Sequence, residues 1–308
     1  MSLMYVDDEC LNKSLNNQRL TIPAVDYLQE RGLSQASHII KPLLVSADIP
    51  IKAGELSLFS THQQTINLIN DDQQLITIHR YNSGLSPMGI VLKSSDFDYV
   101  LSLGSDLSIY QSATGDLQVG IFLISLDTHV CQLNIKKHSL VNKSQIANLL
   151  KEIENPTGLF GKLSDNLSGQ YQLELLCNTM TNLMNGKADD ITSFIGLGPG
   201  LTPSFDDIIV GMLAVISSDC RFDNQIRQLK FAFERLSLHL LTTTVSASFL
   251  TYALQGKFSL LVLQVINSFA QHKYHHSSIK NLSNYGHTSG SDLLLGIWLG
   301  IDRFVLRD

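Results

Sequence analysis

The sequence is short of charge: only 16% of its 308 residues are charged, and 22 Lys and Arg stand against 28 Asp and Glu. The balance of −6 excludes a surface built on clustered cations, so nucleic acid and anionic membranes are poor partners, and a small molecule or a protein is the better expectation. Cysteine is scarce too. Cys10, Cys131, Cys177 and Cys220 form no CxxC pair, which points away from zinc and disulfides and toward free thiols in a reducing, cytoplasmic setting. With 7 prolines and 44% hydrophobic residues, the composition excludes collagen-like and disordered chains. No basic segment followed by an apolar stretch opens the sequence, so no secretory signal is read there. No apolar run approaches the ~18 residues of a spanning helix, and a soluble protein is expected.

Catalytic signatures are missing as well. There is no P-loop, no complete GxGxxG, no GxSxG and no HExxH, which removes support for nucleotide hydrolysis, serine hydrolysis and zinc proteolysis.

The pattern that is present divides the chain. From Gly54 to Ile135 short β-rich runs (LSLF, TINLI, QLITIHRY, MGIVL, YVLSLG, LSIY, LQVGIFLISL, VCQLNI) alternate with turn residues such as Asn82-Ser83-Gly84 and Thr114-Gly115-Asp116, predicting seven or eight strands. A short helix over Ile22–Arg31, stopped by Gly32, precedes them. Past Val141 the apolar spacing becomes helical over Ser144–Glu154, Leu167–Met184, Pro203–Ser217, Asn224–Leu241, Thr244–Leu254, Leu260–His272 and Ser289–Val305. The expectation is an α+β chain: an antiparallel sandwich or barrel over residues 1–140, then an all-helical domain over 141–308. Two segments, IIVGMLAVI at Ile208 and LLLGIWLGI at Leu293, are apolar nearly all round and should lie at the centre of the bundle, with glycines that allow close approach.

The densest signal is IGLGPGLTPSFDDIIVG from Ile195 to Gly211. Gly196, Gly198 and Gly200 lead into a helix that Thr202-Pro203 would cap, or Ser204 with Asp207 one frame later. The helix start would present N–H donors and a positive dipole end to a phosphate or carboxylate. The same residues also read as no more than a tight loop and a well-capped helix. Asp206 and Asp207 are adjacent, however, so one cap cannot use both. The pattern also recurs in GHTSGSDLLLG at Gly286, where Thr288 and Asp292 repeat the spacing of Thr202 and Asp206. If the two loops face each other, Asp206, Asp207 and Asp292 rim one pocket. Gly198, Gly200 and Gly290 would admit an anionic ligand, and Thr202, Ser204, Thr288 and Ser289 would bond it. The carboxylates would then hold an amide N–H, coordinate Mg²⁺, or act as base. His287 is the histidine best placed for proton transfer, although capping or packing would also explain it. Thr244 and Ser246, in the Thr242–Ser248 hydroxyl ladder, would border the pocket or cap their own helix. His272, His275 and His276 have the look of a metal tract but lack a fourth ligand. Arg80 could fork a carboxylate, or face solvent from its strand.

The first loop resembles the hallmark Gly-x-Gly-Pro-Gly-Leu-Thr-Pro-Ser-Gly-Asp-Asp of a bacterial family of unassigned function. Some of its members carry a carboxylase label, and one branch is a subunit of oxamate carbamoyltransferase in anaerobic allantoin degradation. LSLFSTHQQTINLIN, SPMGIVL, TTVSASFLTYALQGKF and YGHTSGSDLLLG extend the resemblance from Leu56 to Ile301. It implies a carbamoyltransferase-like subunit acting on carbamoyl phosphate and a small carboxylate or amide such as oxamate, with other subunits as partners. A non-catalytic or metabolite-binding subunit is the rival implication, and a carboxylase a third with no biotin or carboxylated-lysine signature behind it. Phe205 stands where the family motif has glycine, so its ring must either fill the ligand space or turn into the core. The Ser-x-Arg-Thr phosphate motif of classical transcarbamylases is absent.

Overall fold

A computed structural model describes residues 38–104, 108–138, 143–167, 170–271 and 276–305. The helix expected over Ile22–Arg31 lies outside them, as do Cys10, His272 and His275. The chain divides into two compact units after Leu133.

In the first unit, ten strands among the described residues form one curled sheet. In chain order they are β1 (His38–Ile40), β2 (Leu44–Ser46), β3 (Gly54–Thr61), β4 (Thr65–Ile69), β5 (Leu75–Arg80), β6 (Gly89–Leu92), β7 (Ile109–Gln111), β8 (Leu117–Val119), β9 (Phe122–Ile124) and β10 (Val130–Cys131). The spatial order is β1-β9-β8-β7-β3-β4-β5-β6-β2-β10. β3 joins the halves: Gly54–Leu56 pair with β7, Ser57–Thr61 pair with β4, and a register shift falls between Leu58 and Ser60. Such a bulge bends the strand and lets one sheet curl.

The sheet is mixed, which corrects the antiparallel expectation: β1 with β9, β5 with β6, and β10 with β2 run parallel. Turn residues mark where strands end but not the direction in which the chain returns. From β5 to β6 the chain takes only Tyr81–Met88, shorter than the roughly dozen residues of an ordinary parallel crossover. It does so by burying Leu85, Ser86 and Met88. YVLSLG, read above as a strand, belongs to helix α1 (Ser94–Ser102), which sets Phe97 and Val100 one turn apart in the sheet's core with Ile66, Leu68, Ile78 and Ile90. Arg80, at the end of β5, pairs with Asp98 at 2.9 Å in an exposed ion pair.

The short crossover is fastened by His79. Its Nε2 accepts the Ser86 N–H at 3.2 Å and lies 2.9 Å from Ser86 Oγ. An accepting Nε2 places the proton on Nδ1, which is buried without a partner. Gly89 leaves room for the ring, since a Cβ there would lie 2.9 Å from it.

The second unit carries helices α2 (Lys143–Leu150), α3 (Tyr171–Met184), α4 (Ser204–Ser218), α5 (Asp223–Glu234), α6 (Leu238–Leu241), α7 (Thr244–Leu254), α8 (Leu260–Ala270), α9 (His276–Ser283) and α10 (Ser289–Phe304). The expected helix over Asn224–Leu241 is two, because the chain leaves helical geometry between Glu234 and Leu238. α9 was not foreseen from the sequence. Every residue of α4 is buried, as its all-round apolar pattern required. α4 and α10 run side by side in the same direction. A Cβ on Gly211 would meet Leu293 O at 2.3 Å, one on Gly296 Ile208 O at 2.1 Å, and one on Gly300 Val215 Cβ at 2.9 Å. No residue larger than glycine fits at these crossings. Among the described residues, no helix is long and apolar enough to cross a membrane.

Burial lowers the His79 pKa from 6.5 to about 4, so the stability tied to the neutral ring is present above pH 6.5 and is lost as pH falls toward 4. Up to about 3 kcal/mol is involved. Urea denaturation across pH 4–7 should therefore show a loss of stability on acidification that is smaller in His79→Gln; equal slopes in the two proteins would contradict the neutral, buried ring.

Candidate functional site

The loops before α4 and α10 meet. Thr202 Oγ and Ser289 Oγ share a hydrogen bond of 2.5 Å across 87 residues of sequence, bringing the two helix starts together. Neither hydroxyl expected to cap α4 does so: Pro203 occupies the N-cap position, with no side-chain cap bond. Thr288 likewise precedes α10 without a side-chain cap bond. The Thr202 hydroxyl bonds Ser289 instead, and the Ser204 hydroxyl is buried against Gly158 and Gly198.

The N–H donors read from the sequence as open to an anion are largely spent. Phe205 N–H bonds Leu197 O at 3.0 Å, Asp206 and Asp207 N–H both bond Pro203 O, and Gly290 N–H bonds Tyr285 O. The glycines divide similarly. Gly198 has φ +126° and presses on Ser204, and a Cβ on Gly290 would lie 1.7 Å from Leu282 O, so both serve close backbone contact. Gly200, at φ +89°, faces open space. Phe205 is buried, its ring 5.6 Å from Phe160 and 5.5 Å from Phe194. It has turned into the core.

Three aspartates at these helix starts have three different surroundings. Asp206 is saturated: Oδ1 accepts Gly196 N–H at 2.9 Å, and Oδ2 accepts Thr242 Oγ at 2.5 Å and Ser246 Oγ at 2.6 Å. Burial raises its pKa while these three donors lower it. Thr243 caps α7 by accepting Ser246 N–H and donates to Leu201 O, so the hydroxyl ladder is spent on holding the first loop. Thr244, half-buried at the start of α7, offers its carbonyl to Ser248 Oγ at 2.8 Å.

Asp292 is fully buried and receives Gly158 N–H at 3.2 Å and 3.1 Å on its two oxygens. Burial pushes its pKa up to about 7, against the lowering effect of Gly158 N–H and of the Ser204 and Thr288 hydroxyls nearby. Gly158 was not singled out in the sequence. Its only signal was a Pro/Gly-containing turn, Asn155–Gly161, and its reason is spatial: a Cβ would lie 2.0 Å from Ser204 Oγ.

Asp207 is the third case. Its Oδ2 is buried with no hydrogen-bond partner. Desolvation raises its pKa well above the usual carboxylate range, with the charges of Asp292 and Asp206 adding to the rise, while the Ser289 and Thr202 hydroxyls oppose it. A narrow cleft opens at this point, lined by Thr202, Asp207, Phe249, Lys257, Phe258 and Tyr285 among others. Lys257 and Tyr285 also escaped the sequence reading. The Tyr285 hydroxyl is pushed up by burial and by the charge of Asp207. His287 is exposed and is not among the residues lining the cleft.

Mg²⁺ does not suit this arrangement. Among the described residues, no three His, Cys, Asp or Glu side chains are grouped to hold a metal ion, and both oxygens of Asp206 are already occupied by protein donors. His276, of the histidine tract, is exposed and lies 3.9 Å from Glu152.

The partner sets predict opposite effects on stability. Asp206→Ala strands three donors and should cost about 3 kcal/mol in urea denaturation. Asp207→Asn removes a carboxyl whose raised pKa makes stability fall as pH rises, so above pH 7 it should be as stable as the parent or more so. A loss from Asp207→Asn as large as that from Asp206→Ala would contradict the assignment.

No solved structure matches the chain. Two family models do: residues 43–133 match the AllH family N-terminal domain, and residues 194–301 match oxamate carbamoyltransferase subunit AllH. The second match contains both loops, α4 and all but the last turn of α10; the first covers β2 to β10. The chain belongs to the family of the oxamate carbamoyltransferase subunit AllH.

Proposed function

We propose that this chain is a carbamoyltransferase subunit that holds carbamoyl phosphate and a small carboxylate amide such as oxamate at the joined starts of α4 and α10. The observation that carries this reading is the unpartnered, buried Asp207 Oδ2 beside the Thr202–Ser289 hydroxyl pair. A carbamoyl group is neutral, with two N–H donors and one strong acceptor oxygen. It would give Asp207 Oδ2 a donor and give the hydroxyls an acceptor, so that buried polar groups on both sides are satisfied. Asp292, close to neutral pH in its pKa and oriented by Gly158 N–H, is suited to exchange a proton with the reacting nitrogen. Asp206 is a positioning residue that keeps the first loop in place.

A non-catalytic or metabolite-binding subunit is the second reading. It is favoured by the spent N–H donors of α4, which leave phosphate activation to another chain of a multi-subunit enzyme. In that case the purified chain binds ligand, and turnover arises only on mixing with its partner subunits.

A thermal-shift titration tests the binding reading. Oxamate or carbamoyl phosphate at about 100 times its Kd should stabilise the chain by about 2.7 kcal/mol, and Asp207→Asn should abolish the shift. A shift of equal size in Asp207→Asn would put the ligand elsewhere.

A further inference from the structure

Most of the polar side chains that line the cleft beside Asp207 are already engaged. Thr202 shares its hydrogen bond with Ser289, Ser259 caps α8 by accepting Val262 N–H, and Lys257 holds its ammonium 6.0 Å from the centre of the Tyr252 ring. Two groups on the same cleft stand apart. Asp207 Oδ2 is buried with no partner, and among the described residues no protein group bonds the Tyr285 hydroxyl. The charge of Asp207 acts on that hydroxyl, yet no hydrogen bond joins the two, so they face one space without closing on each other.

The backbone fixes Tyr285 from both sides. Its N–H donates to Leu282 O at the end of α9, and its carbonyl accepts Gly290 N–H in the first turn of α10, each at 2.9 Å. A Cβ on Gly290 would lie 3.1 Å from Tyr285 N, so glycine there lets this turn sit against the helix that carries Asp292. Burial and the charge of Asp207 both push the phenol's pKa up, which keeps its proton in place and makes it a neutral donor.

An acceptor without a donor and a donor without an acceptor are satisfied together by a group that carries N–H and C=O on one carbon. A carboxylate or phosphate oxygen would also accept from Tyr285, but it would set an anion beside a buried carboxyl, where like charges are costly. Resting on the function proposed above, we infer that Tyr285 is a catalytic residue of carbamoyl transfer: its hydroxyl donates to the carbamoyl carbonyl oxygen while Asp207 Oδ2 accepts an N–H of the same group. When the acceptor nitrogen adds to the carbonyl carbon, the C=O π pair moves onto that oxygen and strengthens its bond to the Tyr285 O–H. The carbonyl re-forms as the bond from carbon to the phosphate oxygen breaks, phosphate leaves with the bonding pair, and Asp292 takes the proton from nitrogen. Tyr285 keeps its own proton throughout. A donor aimed at the oxygen where charge develops, between apolar walls such as Phe249, Phe258 and Val262, favours the transition state over the bound substrate.

Tyr285→Phe removes one oxygen that bonds nothing in the protein, so its urea midpoint should match the parent's; a lower midpoint would give the hydroxyl a structural partner and overturn the assignment. In the enzyme assembled with its partner subunits, the variant should lower kcat about a hundredfold, the worth of one oxyanion donor, with KM nearly unchanged. Phosphonoacetamide, a stable analogue of carbamoyl phosphate with CH₂ for the bridging oxygen, reads the contact directly on the full-length chain when its carbonyl carbon carries an isotope label. Its infrared carbonyl stretch should fall on binding to the parent and return toward the free value in Tyr285→Phe. The same stretch in both proteins, or an unchanged kcat, overturns the role of Tyr285 while leaving the binding reading intact. Failure of the parent chain to bind phosphonoacetamide overturns both.

Discussion

The close parallel packing of α4 on α10 is the constraint from which the rest of the second unit follows. Gly211 and Gly296 let the backbones touch and Gly300 admits the Val215 side chain, and the shared direction places both positive helix ends side by side. Two such ends repel, and carboxylates in the first turns offset that repulsion. Asp206 and Asp207 stand in the first turn of α4 and Asp292 in that of α10. The same closeness that requires negative charge excludes water from it, so the acids that balance the dipoles are also costly to ionise. A site with unusual proton affinity is thus a by-product of helix geometry as much as of the residues chosen.

How each acid resolves that conflict separates support from chemistry. Asp206 is surrounded by donors and fixes the first loop to the start of α7. Asp292 shares a single backbone N–H between its two oxygens and keeps a pKa near 7. Asp207 keeps an oxygen with no partner. Buried polar groups in folded proteins are almost always satisfied, and this exception belongs to a residue that lines a cleft together with Thr202, which is why the proposed function is centred on it.

Much of this was legible beforehand. The paired Thr and Asp spacings at Thr202 and Thr288 pointed to two equivalent loops, and the all-round apolar runs at Ile208 and Leu293 pointed to two central helices. The all-helical second half and the β-rich first half were visible in the change of period near Val141. What escaped depended on partners distant in sequence. Gly158 shows no local sign of its contact with Asp292, because its importance lies in the Ser204 hydroxyl that it leaves room for. Capping motifs misled at Thr202 and Ser204 because a hydroxyl has the same local pattern whether it bonds its own helix or another. The helix at Ser94 was hidden in a β-branched and aromatic run, and the parallel pairing of β5 with β6 was invisible because Ser86-Pro87 resembles an ordinary turn. Phe205 was ambiguous for a similar reason: a ring at that position had two directions, and only the pockets around Phe160 and Phe194 decided between them.

The Gly158 turn also bears on how the site comes into being. Its bond to Asp292 closes 134 residues of chain, the Thr202–Ser289 bond closes 87, and the Thr242–Asp206 bond closes 36. Closing long loops costs chain entropy that only later contacts recover. The first loop is tied to α7 by the shortest of these closures, whereas the surroundings of Asp292 include a turn 134 residues away. In an unfolded chain that carboxyl is solvated and ordinary. Its raised pKa is therefore a property of the folded second unit, set by burial, and not of the local sequence around Asp292.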